Sequence, residues 1–328
     1  MDPSLDGPKE GVGLDASLSW MRAAGEMTRL RLLYLLDRLD LTVSDLMEIL
    51  NQSQPRLSRH LKLLVDAGLA ERSREGAWAY FSTVNSGAAR AFLDAILQPL
   101  NEQDPTFAAD LRVLEAVRAK RQKRASDYFA ANAENWDRIR ALHIGEDDVE
   151  AAMLDMGLSA APRSLLDLGT GTGRILELFA PHVARGVGLD SSRDMLAVAR
   201  AALANRQHPH MQVRQGDAYA LEGVGRFDLV VLHQVLHFLE EPDLALRQAA
   251  SCLNADGRLL IVDFAPHGIE DLRERHAHRR LGMSDQQMAQ WFDEVGLQQF
   301  DERALVPQQT TVDGEALTVR LWLAGLSA

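Results

Sequence analysis

The chain has a single cysteine, Cys252, among 328 residues. One thiol excludes an internal disulfide framework and any zinc site built from several cysteines. No apolar run reaches the roughly 18 residues that a membrane helix requires, so no span is legible and no membrane partner is expected. Residues Met1–Gly13 hold acid, Gly and Pro without an apolar stretch, unlike a secretory signal, and the expected address is cytoplasmic. Basic residues are also in deficit. The net charge is −12, and acid outnumbers base on both sides of residue 150. Bulk charge therefore repels phosphates, and any nucleic-acid contact must come from a local basic face. Aromatic residues are few, at 6%, so an aromatic cluster in a polar stretch needs a packing partner.

What is present is ordinary globular composition, 46% hydrophobic and 25% charged. The length suits two domains. Residues 1–14 read as a disordered leader. Residues 15–100 read as short helices and one hairpin. Residues 101–141 form a polar helical connector with a clear start at Asp104-Pro105. From Ser164, apolar strand runs alternate with helical stretches, which argues for a parallel sheet with crossover helices within 142–328.

In the first part, Thr28–Arg38 is a strongly apolar helix, and Thr42 caps the next, Val43–Leu50. A third helix has Pro55 in its first turn, where a missing N–H costs nothing. Leu57, Leu61 and Leu64 share its buried face. Ser53, Gln54, Arg56, Ser58, Arg59 and His60 fall elsewhere on it. Short polar and cationic side chains at the start of such a helix suit base edges and phosphates in a major groove. Leu69–Arg74, a Glu75-Gly76 turn and Ala77–Ser82 then read as a hairpin. Arg72 and Arg74, two apart, would lie along the phosphate backbone. Two helices and a hairpin in this order make a winged helix-turn-helix, although a three-helix adaptor with a solvated polar face shares the pattern.

The runs GEMTRLRLLYLL and SQPRLSRHLKLLVDAGLAERSREGAWAYF resemble the ArsR family of bacterial repressors over about residues 16–95. That resemblance implies double-stranded operator DNA as partner, repression, and a homodimer built on the helix before Gly25 and the helix Ser86–Leu97. Many members sense metals through cysteines where this chain has Thr42-Val43-Ser44-Asp45. Thiolate sensing is chemically closed to it. No metal site is expected.

In the connector, Arg118, Lys120, Arg121, Lys123 and Arg124 form a basic run that suits either a DNA flank or a solvated face. The following run, residues 128–143, carries the aromatics Tyr128, Phe129 and Trp136 in an otherwise polar stretch.

In the second part, the strand Ser164–Leu168 runs into Gly169-Thr170-Gly171-Thr172-Gly173 and a helix, Arg174–Ala180. Glycines there allow close approach of a ligand to the backbone, and the helix start favours electron-rich groups. The third glycine comes one residue earlier than in the dinucleotide fingerprint. A second strand, Gly186–Leu189, ends at Asp190, placed to accept ribose hydroxyls. A third, Met211–Gln215, ends in Gly216-Asp217, and a fourth, Asp228–Leu232, in His233-Gln234. A fifth, Arg258–Val262, follows a turn at Ala255-Asp256-Gly257.

This order is similar to the class I methyltransferases that use S-adenosylmethionine. The resemblance implies a Rossmann-like, mostly parallel seven-stranded sheet. It implies S-adenosylmethionine or S-adenosylhomocysteine at Asp167, Gly169, Thr170, Gly171 and Gly173 (methionine moiety), at Asp190, Ser191 and Met195 (ribose), and at Gly216, Asp217 and Ala218 (adenine). His233 would lie close to the cofactor, with Tyr128 and Trp136 in a lid. A fold that has lost its ligand is the bland alternative. Methyl transfer needs no enzyme nucleophile, so a catalytic signature is sparse. His233 and His237, four apart, could share a helical face, and one could be a base for a small-molecule acceptor. His267, His276 and His278 follow the fifth strand, where acceptor sites often form in this family. The whole suggests a regulator with a methyl-cycle effector, or a working methyltransferase that controls its own gene.

Overall fold

The computed structural model describes residues 12–75, 78–84, 87–133, 146–205, 208–306 and 317–326. The chain divides into two compact units between Arg121 and Gln122.

The first unit is built on α1 (Leu14–Ala24), α2 (Met27–Leu36), β1 (Leu41–Thr42), α3 (Val43–Leu50), α4 (Gln54–Asp66), β2 (Ala70–Glu75), β3 (Trp78–Thr83) and α5 (Gly87–Leu97). Leu32, Leu33, Tyr34, Leu35 and Leu36 of α2 are all buried, so this helix is the axis of the core. Its N-cap residue, Glu26, directly precedes Met27 and accepts the Arg29 N–H on its side chain at 3.1 Å. A capping box closes the start of α3: Asp45 N donates to Thr42 Oγ1, and Thr42 N donates to Asp45 Oδ2. The helix α4 is followed by Gly68, whose φ of +70° lets Leu69 N reach Leu64 O and Gly68 N reach Val65 O. That pair of hydrogen bonds satisfies the last carbonyls and turns the chain directly into the hairpin. β2 and β3 pair antiparallel, with Arg72 opposite Phe81 and Arg74 opposite Ala79, and β1 adds a short third strand. The turn residues 76 and 77 lie outside the described residues.

The next helix, α6 (Pro105–Asn132), contains the division between the units. In the first unit its Leu114 and Val117 are buried in the core. Asp110, also buried, accepts Arg31 Nε and Nη2 at 2.7 and 2.6 Å.

The second unit is a three-layer sandwich. Its helices are α7 (Glu146–Gly157), α8 (Arg174–Phe179), α9 (Arg193–Asn205), α10 (Pro242–Ser251), α11 (Glu270–Arg275) and α12 (Asp285–Glu294). Its strands are β4 (Ser164–Leu168), β5 (Arg185–Asp190), β6 (Met211–Gln215), β7 (Phe227–His233), β8 (Leu253–Phe264), β9 (Leu297–Leu305) and β10 (Val319–Leu326). The sheet order is β6-β5-β4-β7-β8-β10-β9. β4 to β8 are parallel, and β10 runs antiparallel between β8 and β9. Successive strand residues feed opposite faces, as the pleat requires. Leu229, Val231, Leu260 and Val262 pack with α7 and α8, while Val230, Leu232, Leu259 and Ile261 pack with α10 and α12.

One expectation changes, and one helix was not foreseen. α7 precedes Ser164, and Val149, Ala152, Met153 and Met156 bury one side of it. The turn expected at Ala255–Gly257 lies inside β8, where the pairing with β7 shifts register. Among the described residues no helix is long and apolar enough to cross a membrane.

Candidate functional site

The outer face of α4 carries the first constellation. Ser53 is its N-cap, without a side-chain capping bond, and Ser53, Gln54, Arg56, Ser58 and Arg59 are all exposed. Leu57, Leu61 and Leu64 hold the opposite face in the core. His60 departs from the expectation. It is half-buried, with Nδ1 3.5 Å from a Glu26 carboxylate oxygen. Burial pushes its pKa down, against the pull of Glu26, and Arg29, Arg56 and Arg59 add to the fall. It therefore packs the helix onto the start of α2 instead of joining the exposed row. Arg72 is exposed on β2. Arg74 follows two residues later on the same strand, and its side chain lies outside the described residues. In the basic run, Arg118 pairs with Glu115 and Lys123 with Asp127.

The second constellation lies at the carboxyl ends of β4, β5 and β7. Gly169, Gly171 and Gly173 all have positive φ, at 73°, 53° and 87°. A Cβ on Gly169 would stand 2.4 Å from Val235 Cγ2, and one on Gly173 3.2 Å from Ala199 Cβ. Side chains are excluded here both by conformation and by space. The loop is tied to β5: Gly169 N and Thr170 N both donate to Leu189 O, and Gly171 N donates to Asp190 Oδ2 at 2.9 Å. Thr170 Oγ1 is buried and has no hydrogen-bond partner among the described residues. Asp167 is buried within β4.

Asp190 also accepts Ser192 N at 2.8 Å on its other oxygen. Burial raises its pKa, while the N–H groups of Ser192, Gly171 and Ser191 pull it back. Ser191 is exposed, and its carbonyl accepts from Gln215 Nε2. Met195 faces the core, 2% exposed. At the end of β6, Gly216 N donates to Asp190 O, and exposed Asp217 folds back to accept Tyr219 N at 3.0 Å. Ala218 is half-buried. The glycine cradle, the buried Thr170 hydroxyl and the Asp190 carboxylate thus stand together at the neighbouring ends of β4 and β5. They fit an adenosyl amino acid with ribose hydroxyls and a backbone-hugging tail.

The segment after β7 corrects another expectation. Gln234 takes φ +54° and its N–H donates to Val262 O. A single 3-10 turn, Leu236–Phe238, follows. Without an α-helix there, His233 and His237 share no helical face. His233 ends β7, half-buried. His237 has only 2% of its side chain exposed, and its Nδ1 lies 2.7 Å from Asp263 Oδ1. Its ring stacks on His278 at 4.0 Å. Such enclosure makes His237 a packing and positioning group. Tyr128 and Phe129, on the part of α6 in the second unit, do find partners there. Tyr128 Oη lies 2.7 Å from His276 Nδ1, and Phe129 packs edge-on against Phe238 at 4.8 Å. Trp136 lies outside the described residues.

Three residues escaped the sequence reading. Glu150 on α7 grips Arg174 with both oxygens, at 2.7 and 2.6 Å, and so holds the helix behind the glycine loop. Tyr219 Oη accepts Glu240 N and Glu241 N, capping the start of α10. Asp263 anchors His237. Only Asp263 left a signal, as an acid at the end of an apolar strand.

Two family models match. Bacterial regulatory protein, arsR family, matches residues 26–72, and Methyltransferase domain matches residues 166–261. Among curated relatives, the uncharacterized methyltransferase YcgJ of Bacillus subtilis is 29% identical over 42% of this chain and 54% of its own length. The demethylmenaquinone methyltransferase of Thermotoga maritima is 32% identical over 45% of this chain and 64% of its own. The chain thus spans between half and two-thirds of the length of these relatives. The solved N-methyltransferase NodS from Bradyrhizobium japonicum, in complex with S-adenosyl-L-homocysteine, superposes with a TM-score of 0.51 at 19% identity, over 62% of this chain and 99% of that one. At that identity the likeness is one of fold.

Proposed function

From a chain that joins an arsR-family helix-turn-helix to a class I methyltransferase domain, we propose a DNA-binding transcriptional repressor whose second unit binds S-adenosylmethionine or S-adenosylhomocysteine as effector. The observation that carries this reading is the coexistence of two intact surfaces. The exposed row on α4 has no core role, and the glycine cradle with Asp190 has no purpose in an empty fold. Methyl-cycle genes are the regulon that such a ligand suggests.

Arg56 and Arg59, with Ser53, Gln54 and Ser58, would enter a major groove, and Arg72 would track a phosphate strand. A second copy of the chain would present the matching half-site. Leu14, Leu18 and Met21, on one side of α1, are 75%, 37% and 59% exposed. That apolar stripe suits a homodimer. In the second unit, Gly169–Gly173 would pass the methionine moiety with Asp167 near its ammonium. Asp190 would take the ribose hydroxyls, and Asp217 with Ala218 the adenine. Bound as the methionine form, the ligand brings an activated methyl group. Effector action requires only that it bind the DNA-competent and incompetent states unequally.

The second reading is a small-molecule methyltransferase with an autoregulatory DNA-binding unit. The enzyme names of the curated relatives favour it. The deciding experiment is binding of the full chain to its own promoter at fixed salt, without ligand, with S-adenosylmethionine and with S-adenosylhomocysteine. A large shift with either ligand supports the sensor. Tight binding that ignores both leaves the second reading.

A further inference from the structure

Tyr128 and His276 meet across the second unit from separate elements, α6 and the residue after α11. Their polar atoms are 2.7 Å apart and their rings stand edge to face at 5.9 Å. His276 Nε2 faces Asp271 Oδ2 at 3.9 Å. A carboxylate on that side favours the tautomer with the proton on Nε2, and leaves Nδ1 to accept from the Tyr128 hydroxyl. The pair is open where His237 is sealed: His276 keeps 26% of its side chain exposed and Tyr128 is half-buried. Its place is also fixed. Phe129, next to Tyr128, packs on Phe238 in the turn after β7, and β7 lies beside β4 and its glycine loop. Ring surfaces continue from there, with Phe238 against His278 at 5.0 Å and His278 stacked with Phe264 at 5.9 Å.

We propose that Tyr128 and His276 form a proton-accepting pair for a phenolic acceptor, with Tyr128 as the catalytic contact and His276 as the group that holds the proton. The proposal rests on the second reading above, that this unit transfers methyl groups. The acceptor O–H bond breaks and its proton passes to Tyr128 Oη. The Tyr128 proton passes in turn to His276 Nδ1, giving an imidazolium beside Asp271. The acceptor is left as a phenolate, the nucleophile that methylation of oxygen needs, and charge is conserved. Burial raises the Tyr128 pKa, so it starts protonated and works as a relay. Near the pair, Asp271 stands beside Arg275 and Glu270 beside Arg273 on α11, and Lys123 beside Asp127 on α6. Phe129 and Phe238, both half-buried beside the pair, would favour a planar acceptor, since edge and face contacts reward rings.

The test uses the full chain loaded with S-adenosylhomocysteine and 4-nitrophenol as probe, whose ionised form is yellow. Wild type is expected to bind the probe and raise its ratio of ionised to neutral form about tenfold over free probe, one pKa unit. His276→Asn should return the bound probe to the free value while calorimetry shows the same affinity for S-adenosylhomocysteine. Tyr128→Phe should do the same to the probe, and with a phenol that is turned over it should lower kcat by about 100-fold or more. Failure of wild type to bind S-adenosylhomocysteine at all would count against the reading of the unit. Normal binding of that ligand with no probe ionised, or with ionisation unchanged in both variants, overturns the proton-accepting pair.

Discussion

At the end of β5 the Asp190 carboxylate ties the glycine loop through Gly171 N and accepts Ser192 N; its proposed second role is to accept ribose hydroxyls. Its raised pKa sets a sign. The carboxylate form accepts hydroxyl hydrogen bonds, so adenosyl-ligand affinity should fall as pH drops through that raised value. Asp190→Asn should weaken binding at neutral pH and flatten this dependence; calorimetry across a pH series measures both. On α4, Arg59 and His60 are neighbours with different roles. Arg59→Ala should weaken DNA binding by about 1–3 kcal/mol if it reads a base, or reduce the salt slope by about one if it holds a phosphate. His60→Ala should leave the salt slope alone and lower the melting temperature, since its ring packs on Glu26 and α2.

At the scale of elements, two acids fasten structure far from any ligand. Asp110 anchors α6 to α2 through Arg31. Asp110→Ala strands a guanidinium that is 17% exposed, and should cost roughly 2–3 kcal/mol in denaturant unfolding of the first unit, below the loss for a fully enclosed pair. Asp228, at the start of β7, accepts Arg163 N, Ser164 N, Ser164 Oγ and Asn254 Nδ2 at 2.6 to 3.0 Å. Burial alone would raise its pKa, but the bonds from Asn254, Ser164 and Arg163 outweigh it and hold the pKa low. An acid with a depressed folded pKa stabilises above its unfolded value and loses that contribution as pH falls through the folded one. Asp228→Ala should therefore destabilise the second unit at neutral pH and by progressively less below about pH 4. Thermal melts across that range report it.

For the whole molecule, a ligand that binds only the folded second unit must raise its stability. S-adenosylhomocysteine at about 100 times its dissociation constant should add about 2.7 kcal/mol. In the full chain that gain should appear in the unfolding transition of the second unit and shrink on Asp190→Asn, followed by calorimetry. A rise confined to that transition, with promoter binding unmoved, would describe two units that share a chain without sharing a signal.

The sequence by itself determined the two folds and the order of their parts. Leu57, Leu61 and Leu64 on one face, the capping pair Thr42 and Asp45, Gly68 after α4 and the glycines after β4 are local signals, because caps, turns and periodicity are written within a few residues. The strand ends at Asp190, Asp217 and His233 were legible for the same reason. Tertiary structure decided what needs contact between distant segments. It drew His60 half-buried onto Glu26 and sealed His237 against Asp263, so neither stands where helical spacing suggested. It set α7 against the glycine-loop helix through Glu150 and Arg174. It brought Tyr128 to His276 across 148 positions of sequence. No local pattern encodes such pairings, because they are fixed only when the sheet and its helices close around a common core.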